Sequence, residues 1–164
     1  MPIICNVENN VIFQLDFINN GYLDIKKERA NYENWIPFVL KLIVSDKIYG
    51  YTEEHGATFT VFEIEKFIAK LEDIITFKTR NLEFSRYEFS SSEGYFDFVI
   101  FDPLEANEVY IEIWINNAIN SEGIIFGYDD GVRFVTTIDC LKNFKNELSI
   151  IFQHILHSQI DRED

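Results

Sequence analysis

The chain has 164 residues, of which 47% are hydrophobic and 16% aromatic. This length and composition predict one compact domain spanning residues 1–164, and they exclude a disordered or low-complexity chain. Twenty-eight acidic residues against fourteen basic ones give a net charge of −14. Such a charge argues against binding nucleic acid through its phosphates, which needs clustered Lys and Arg. It predicts attraction to a basic partner, although acidity also serves solubility alone.

The first twenty residues lack the basic region and the long apolar run of a secretory signal. No apolar run approaches the roughly 18 residues that a membrane span requires. We therefore expect a cytoplasmic protein that does not contact a membrane. Its two cysteines, Cys5 and Cys140, could pair, but in a chain without a signal they are predicted to be reduced and packed.

The first third of the chain has the patterns of strands. Residues 11–18 are rich in apolar side chains, and the Asn and Gly residues at 19–21 predict a turn after them. Over residues 36–44, apolar side chains occupy every second position, as in a strand with one buried face. Two shorter strands are predicted at 48–51 and 57–60, on either side of an exposed break.

The apolar period then changes from that of a strand to that of a helix. From Ile64 to Ile75, apolar residues recur at helical spacing while charged residues occupy the opposite side. This pattern predicts an amphipathic helix of about five turns. Thr60 and Glu63 stand three residues apart just before it, the spacing of a capping box that closes the first turn of a helix.

Strand patterns return at residues 82–89, 95–101, 109–115 and 124–136, with a tight hairpin turn predicted at 129–131. A second amphipathic helix then runs from Leu141 to Ile155, with Thr137 or Asp139 as its N-cap. The acidic residues 161–164 are expected to fray. This order predicts an α+β fold: an antiparallel β-sheet of about six to eight strands with two amphipathic α-helices packed on one side.

Catalytic and metal-binding motifs are missing from the sequence. It has no nucleophile elbow, no glycine-rich phosphate loop and no calcium loop. His154 and His157 share a face of the last helix, but no further ligand accompanies them. We therefore predict a protein that is not an enzyme and uses no metal or cofactor. A carboxylate-dependent enzyme stays an alternative, because 28 acidic residues can readily bring two carboxylates together.

The most informative pattern for function lies at residues 107–115. One face of this strand is a row of Val and Ile, and the other alternates carboxylates with Tyr and Trp. Aromatic anchors among charges are typical of a protein interface. A solvated sheet face or a second layer of core would give the same pattern. The candidate partner-binding residues are Glu108, Tyr110, Glu112 and Trp114, together with Tyr95 and Asp97 on the preceding strand.

Four segments in this order resemble the WapI-like immunity proteins. They are a Trp-led strand at 35–39, the run 60–67 that enters the first helix, the strand 83–88, and the ending from Phe134 to Leu148. One departure is Cys140, which stands where a polar residue is expected after Asp139. The resemblance implies a small cytoplasmic protein that protects a bacterium from the toxic C-terminal domain of a contact-delivered toxin. It transfers no catalytic or binding residue, because the toxin-contacting surface varies in such families.

The partner that this resemblance implies agrees with the charge of the chain. Many such toxins are basic nucleases, and an acidic inhibitor can be steered to them electrostatically. The leading hypothesis is therefore an immunity protein, monomeric or homodimeric, that binds a basic toxin domain stoichiometrically. The alternative is a non-catalytic homodimeric or phage-derived interaction protein.

Overall fold

A computed structural model describes residues 1–19, 23, 25–103, 105–118 and 129–160. Within these residues, the chain forms nine strands and two α-helices, α1 (Val61–Thr79) and α2 (Ile138–Ile160). Five strands precede α1, and four lie between α1 and α2. Two short 3-10 turns cover Asn31–Glu33 and Glu53–His55. The strands are β1 (Ile3–Cys5), β2 (Val11–Phe17), β3 (Trp35–Val44), β4 (Lys47–Tyr51), β5 (Thr58–Thr60), β6 (Tyr87–Ser90), β7 (Phe96–Phe101), β8 (Glu108–Asn116) and β9 (Asp129–Thr137).

The strands form two antiparallel sheets. The first has the order β1-β2-β3-β4, with β5 paired to the start of β3, and the second has the order β6-β7-β8-β9. The predicted α+β class is confirmed, with the strands divided between two sheets instead of one. Alternating patterns reveal which face of a strand is buried, but they do not reveal which strands share a sheet.

The inner faces of the two sheets meet in an aromatic core. In β2, the buried Phe13 contacts Phe96 and Phe98 of β7, with ring centroids 5.9 and 5.5 Å apart. In β3, the buried Phe38 stacks on Phe59 at 4.0 Å and contacts Phe96 at 6.1 Å. Aromatic pairs at these separations and tilted geometries stabilise a core beyond their area burial. One contiguous core therefore joins both sheets.

The two helices lie beside each other and close this core. Phe67 of α1 and Phe144 of α2 both contact Phe98, at 5.4 and 6.2 Å, and an ion pair between Lys145 and Glu72 joins the helices. None of the helices in the described part of the chain combines the length and apolar character needed to cross a membrane.

Both helix starts use the predicted caps. The Thr60 hydroxyl accepts from the Glu63 amide, and the Glu63 carboxylate accepts in return from the Thr60 amide at 2.8 Å, completing the capping box. At α2, the Cys140 amide donates to the Thr137 hydroxyl at 3.2 Å, so Thr137 caps this helix. Each cap satisfies backbone N–H groups that the first turn leaves without a helical partner.

Several local predictions need correction. The hairpin turn predicted at residues 129–131 is absent, since these residues lie in β9 and pair with β8, and Gly131 does not take the positive φ that such a turn requires. The strand predicted at 82–89 is shorter and shifted, because β6 covers Tyr87–Ser90. The three-residue β1 was not predicted, since it is too short to show a period. Residues 20–21, 124–128 and 161–164 lie outside the described residues.

A hydrogen-bonded tyrosine fixes the end of the second sheet to the first. The Tyr51 hydroxyl, at the end of β4, lies 2.9 Å from the carbonyl of Tyr95 and 2.5 Å from that of Asn116. Burial raises the pKa of Tyr51, and the nearby Tyr95 and Asp129 raise it further. The neutral hydroxyl is therefore maintained as a donor between the two sheets.

Candidate partner-binding surface

The strand β8 presents the two faces that its sequence predicts. Val109, Ile111, Ile113 and Ile115 are fully buried against the core. On the opposite face, Tyr110 and Trp114 are each 40% exposed. Because neighbouring strands continue this face, it forms the outer surface of the second sheet. We call it the outer face; its members are Glu88, Ser90, Asp97, Val99, Phe101, Glu108, Tyr110, Glu112, Trp114, Gly131, Arg133 and Val135.

Glu112 belongs to the outer face but is not an exposed charge. It is only 5% exposed, and its carboxylate accepts from Nε of Arg133 at 2.5 Å. The register places Arg133 directly opposite it on β9. Its second oxygen accepts a long hydrogen bond of 3.4 Å from the Trp114 indole. Glu112 is therefore not a free charge on this face, because the cross-strand Arg133 pairs with it.

The position of Trp114 depends on a glycine. Trp114 faces Gly131 across the β8–β9 pair, and a Cβ atom at that glycine would lie 2.2 Å from Cε3 of the indole. The indole therefore lies flat across the neighbouring strand, where a larger residue at position 131 would displace it. Trp114 is held in place as an aromatic platform, with its ring partly open to solvent.

The other predicted residues separate into two groups. Asp97 is half-buried on the outer face, opposite Trp114, and Glu108 is half-buried where β8 begins. Tyr95 does not join them. It precedes β7 at a turn, and its ring packs against Tyr51 and Phe38 at 5.2 and 5.6 Å. Strand alternation stops at that turn, so the predicted placement of Tyr95 on the outer face is wrong.

An open groove of about 580 Å³ runs beside Tyr110, lined also by Phe101, Glu112 and Arg133. The guanidinium of Arg86 lies 5.3 Å from the centre of the Phe101 ring, and the same group forms an ion pair with Glu88 through Nη1. Arginine over an aromatic face is a favourable cation–π contact. The outer face therefore carries paired charges of both signs around exposed aromatic rings, the composition of an interface.

A second aromatic surface was not predicted from the sequence. It lines a groove of about 530 Å³ between α1 and β6, and its exposed rings are Tyr32, Trp35 and Phe62. The ammonium of Lys66 lies 4.4 Å from the centre of the Phe62 ring. The signal for Trp35 was present, since it occupies the outward position at the start of the alternating strand β3. The proximity of Tyr32 and Phe62 depends on tertiary structure.

A family model described as the Immunity protein WapI-like family matches residues 4–155. The chain belongs to this family. The matched residues span both sheets, both grooves and all but the last residues of α2. No curated protein matches the chain.

One solved structure similar to this WapI-like chain is that of the plant transcriptional regulator PBF-2. The two share 6% sequence identity with a TM-score of 0.45, and the alignment covers 94% of this chain and 83% of that one. A likeness at this level implies nothing about the function of the WapI-like protein.

Two buried ionisable groups of this WapI-like protein, at the start and the end of α1, have structural partners. Lys78 and Asp102 form a buried ion pair at 2.8 Å, and the Glu63 carboxylate caps α1. Within the described ranges, no group of His, Cys, Asp and Glu has the arrangement of a metal site. The thiols of Cys5 and Cys140 are free and lie 3.9 Å apart. Burial and the neighbouring Cys140 raise the pKa of Cys5, which favours the unreactive thiol.

Proposed function

We propose that this chain is an immunity protein that binds and neutralises a cognate toxin domain, a basic nuclease, through stoichiometric contact in the cytoplasm. Membership of the WapI-like family carries the proposal. The net charge of −14 supports a basic partner, because opposite charge accelerates encounter. The mechanism needs no chemistry from the immunity protein, since occupation of the nuclease surface that receives phosphate is sufficient.

The outer face supplies suitable contacts for such a partner. Tyr110 and Trp114 offer partly exposed rings on a rigid strand, and rings of this kind dominate interface energies. Asp97 and Glu108 supply carboxylates at the border of these rings. Glu112 contributes indirectly in this scheme, because its carboxylate holds Arg133 and the Trp114 indole in position.

Co-expression tests the proposed function. The toxin domain encoded by the adjacent upstream reading frame is produced with or without this chain, and growth, nucleic-acid integrity and gel filtration are followed. We expect toxicity with nucleic-acid degradation, rescue by this chain, and a complex of one copy of each. Continued killing together with the absence of a complex would contradict the proposal. Toxicity without nucleic-acid damage would contradict only the nuclease assignment.

Charge-reversal variants test the outer face. Asp97→Lys combined with Glu108→Lys should slow association and reduce its dependence on salt, since charges at the rim of an interface mainly affect the association rate. Glu112→Lys is unsuitable, because it would leave Arg133 facing another cation in a nearly buried site. Truncation of the aromatic rings, as in Trp114→Ala, should instead speed dissociation. Unchanged rates in all these variants would place the toxin elsewhere on the surface.

A further inference from the structure

The strand β6 is an end strand whose outer edge is open. Within the described residues it pairs only with β7. The Ser91 amide donates to the Phe96 carbonyl at 3.2 Å, so Ser91 directs its backbone groups toward β7. Backbone direction alternates along an antiparallel strand, which points the amides and carbonyls of Glu88 and Ser90 away from β7. None of the nine strands in the described part of the chain covers these outward groups.

The amide of Ser92, two residues beyond Ser90, shows where the outer edge of β6 faces. The Ser92 amide donates to Oε1 of Glu63 at 2.7 Å, and Glu63 lies in the first turn of α1. The open edge therefore faces α1 across the 530 Å³ groove, which Glu88, Phe89 and Ser90 line on one side. Buried or docked backbone groups need hydrogen-bond partners. At Ser92 a carboxylate provides one, and at Glu88 and Ser90 the groove leaves room for one.

The opposite wall of the groove is aromatic. Trp35 is 37% exposed and Phe62 43% exposed, and Tyr32 beyond them is 64% exposed. An open strand edge beside apolar rings is the combination used in β-strand addition. There, backbone hydrogen bonds hold an extended peptide, and pockets receive its alternate side chains.

We infer that the toxin docks by adding an extended segment to the outer edge of β6, with its backbone bonded to Glu88 and Ser90 and an apolar side chain against Trp35 and Phe62. This inference rests on the proposed function and names the surface that the toxin segment occupies. The toxin would then contact the second sheet at two adjoining places, the outer face and the edge of β6. Glu88 and Ser90 belong to both places.

Charge identifies the occupant as a basic protein segment and not a second copy of this chain. Two copies would bring together net charges of −14, and this repulsion opposes pairing of β6 with β6. A basic toxin segment is instead attracted by the net charge of the chain. The expected occupant is therefore an extended segment that alternates apolar with basic side chains.

Hydrogen–deuterium exchange on the unmodified protein is the primary test. The protein is measured alone and bound to the purified toxin domain from the adjacent upstream reading frame. We expect the amides of Glu88 and Ser90 to exchange at least about tenfold more slowly in the complex, because strand addition gives them acceptors. A complex in which both amides exchange as rapidly as in the free protein would overturn this inference and leave the proposed function intact. Absence of any complex would overturn both.

A matched pair of variants tests the backbone contact directly. Ser90→Pro removes the outward amide, and an edge strand tolerates proline where the N–H faces away from its neighbour. Ser90→Ala keeps that amide and serves as the control. We expect Ser90→Pro to weaken toxin binding about tenfold and Ser90→Ala to leave it unchanged, since tenfold corresponds to about one hydrogen bond. Equal affinities of the two folded variants would overturn the inference.

Two further variants keep the test decisive if Ser90→Pro fails to fold. Trp35→Ala and Phe62→Ala truncate exposed rings on the groove wall, and each should weaken binding at least about fivefold if the rings receive a partner side chain. Ile48→Ala is the control, because Ile48 is an exposed apolar residue outside both the groove and the outer face. Binding that is insensitive to both ring truncations would overturn the inference. A homodimer that Ser90→Pro dissociates would overturn the choice of occupant.

Discussion

The indole of Trp114 lies across Gly131, with no space between them for a β-carbon. Gly131 has no left-handed backbone angle, so the strand requires glycine here for space and not for conformation. An exposed aromatic ring is thus fixed by the absence of a side chain on the next strand. This relationship makes the outer face sensitive to a single methyl group.

Gly131→Ala should therefore displace Trp114 and lower the free energy of unfolding by about 1–3 kcal/mol, the usual cost of overpacking a filled site. Urea unfolding measures the change. In a Trp114→Ala background the same substitution should cost little or even stabilise, because alanine suits a strand better than glycine. An equal loss in both backgrounds would show that the indole is not responsible.

Lys78→Met should destabilise the protein by about 3–5 kcal/mol, because it leaves the Asp102 carboxylate buried without its cation. The two side chains of this pair are only 5% and 7% exposed, and Lys78 also donates to the Glu105 carbonyl at 2.6 Å. Lys70→Met is the control, since Lys70 pairs with Asp73 at the surface and should contribute under about 1 kcal/mol. Chemical denaturation measures the free energy of unfolding of both variants. Similar decreases for Lys78→Met and Lys70→Met would contradict a special contribution of the buried ion pair.

Stability should fall at alkaline pH through Tyr87. Burial raises the pKa of Tyr87 from 10.0 to about 12, so folding favours its neutral form. A raised folded-state pKa gives stability that is fully present below pH 10 and is lost as the pH rises through about 12. Tyr87→Phe should flatten this decline, whereas Tyr32→Phe, at an exposed ring, should not. Thermal unfolding followed from neutral to alkaline pH checks this, and parallel declines in wild type and Tyr87→Phe would contradict it.

Cys5 and Cys140 should form an intramolecular disulfide when the protein is treated with the thiol oxidant diamide. Their sulfur atoms lie 3.9 Å apart beside an open depression of about 210 Å³, which admits a small reagent. Two thiols lose their hydrogens as diamide is reduced to the hydrazine, and the bond should stabilise the fold by about 2–4 kcal/mol. Mass spectrometry and thermal unfolding measure this, with Cys140→Ser as the control. Exclusively intermolecular products would contradict the prediction.

Local features of the fold were predictable because they depend on neighbouring residues. The Thr60–Glu63 capping box and the buried row of β8 both follow from spacing within a few positions. The hydrogen bond from the Ser92 amide to the Glu63 carboxylate was not predictable, since Ser92 lies 29 residues away in sequence. The division of the strands into two sheets was not predictable for the same reason, because it depends on pairing between strands that are distant in sequence.

The candidate site was predicted in part. Alternation correctly placed Tyr110 and Trp114 on an outward face, but it could not show that Arg133 lies opposite Glu112 and neutralises it. For Tyr95, alternation failed because the strand had not yet begun. The groove between α1 and β6 combines distant segments, so its aromatic wall is visible only in the tertiary structure.

The ring of Phe144 contacts both Phe13 and Phe98, at 6.0 and 6.2 Å, and so joins the two sheets from the last helix of the chain. During synthesis, both sheets leave the ribosome before this ring is available, and the part of the core that α2 covers stays open until this helix emerges. Such long-range closure is slow and leaves the nascent chain open to aggregation. The chain therefore completes the core between its two sheets only when α2 has packed, so the last helix protects apolar surface that belongs to both sheets.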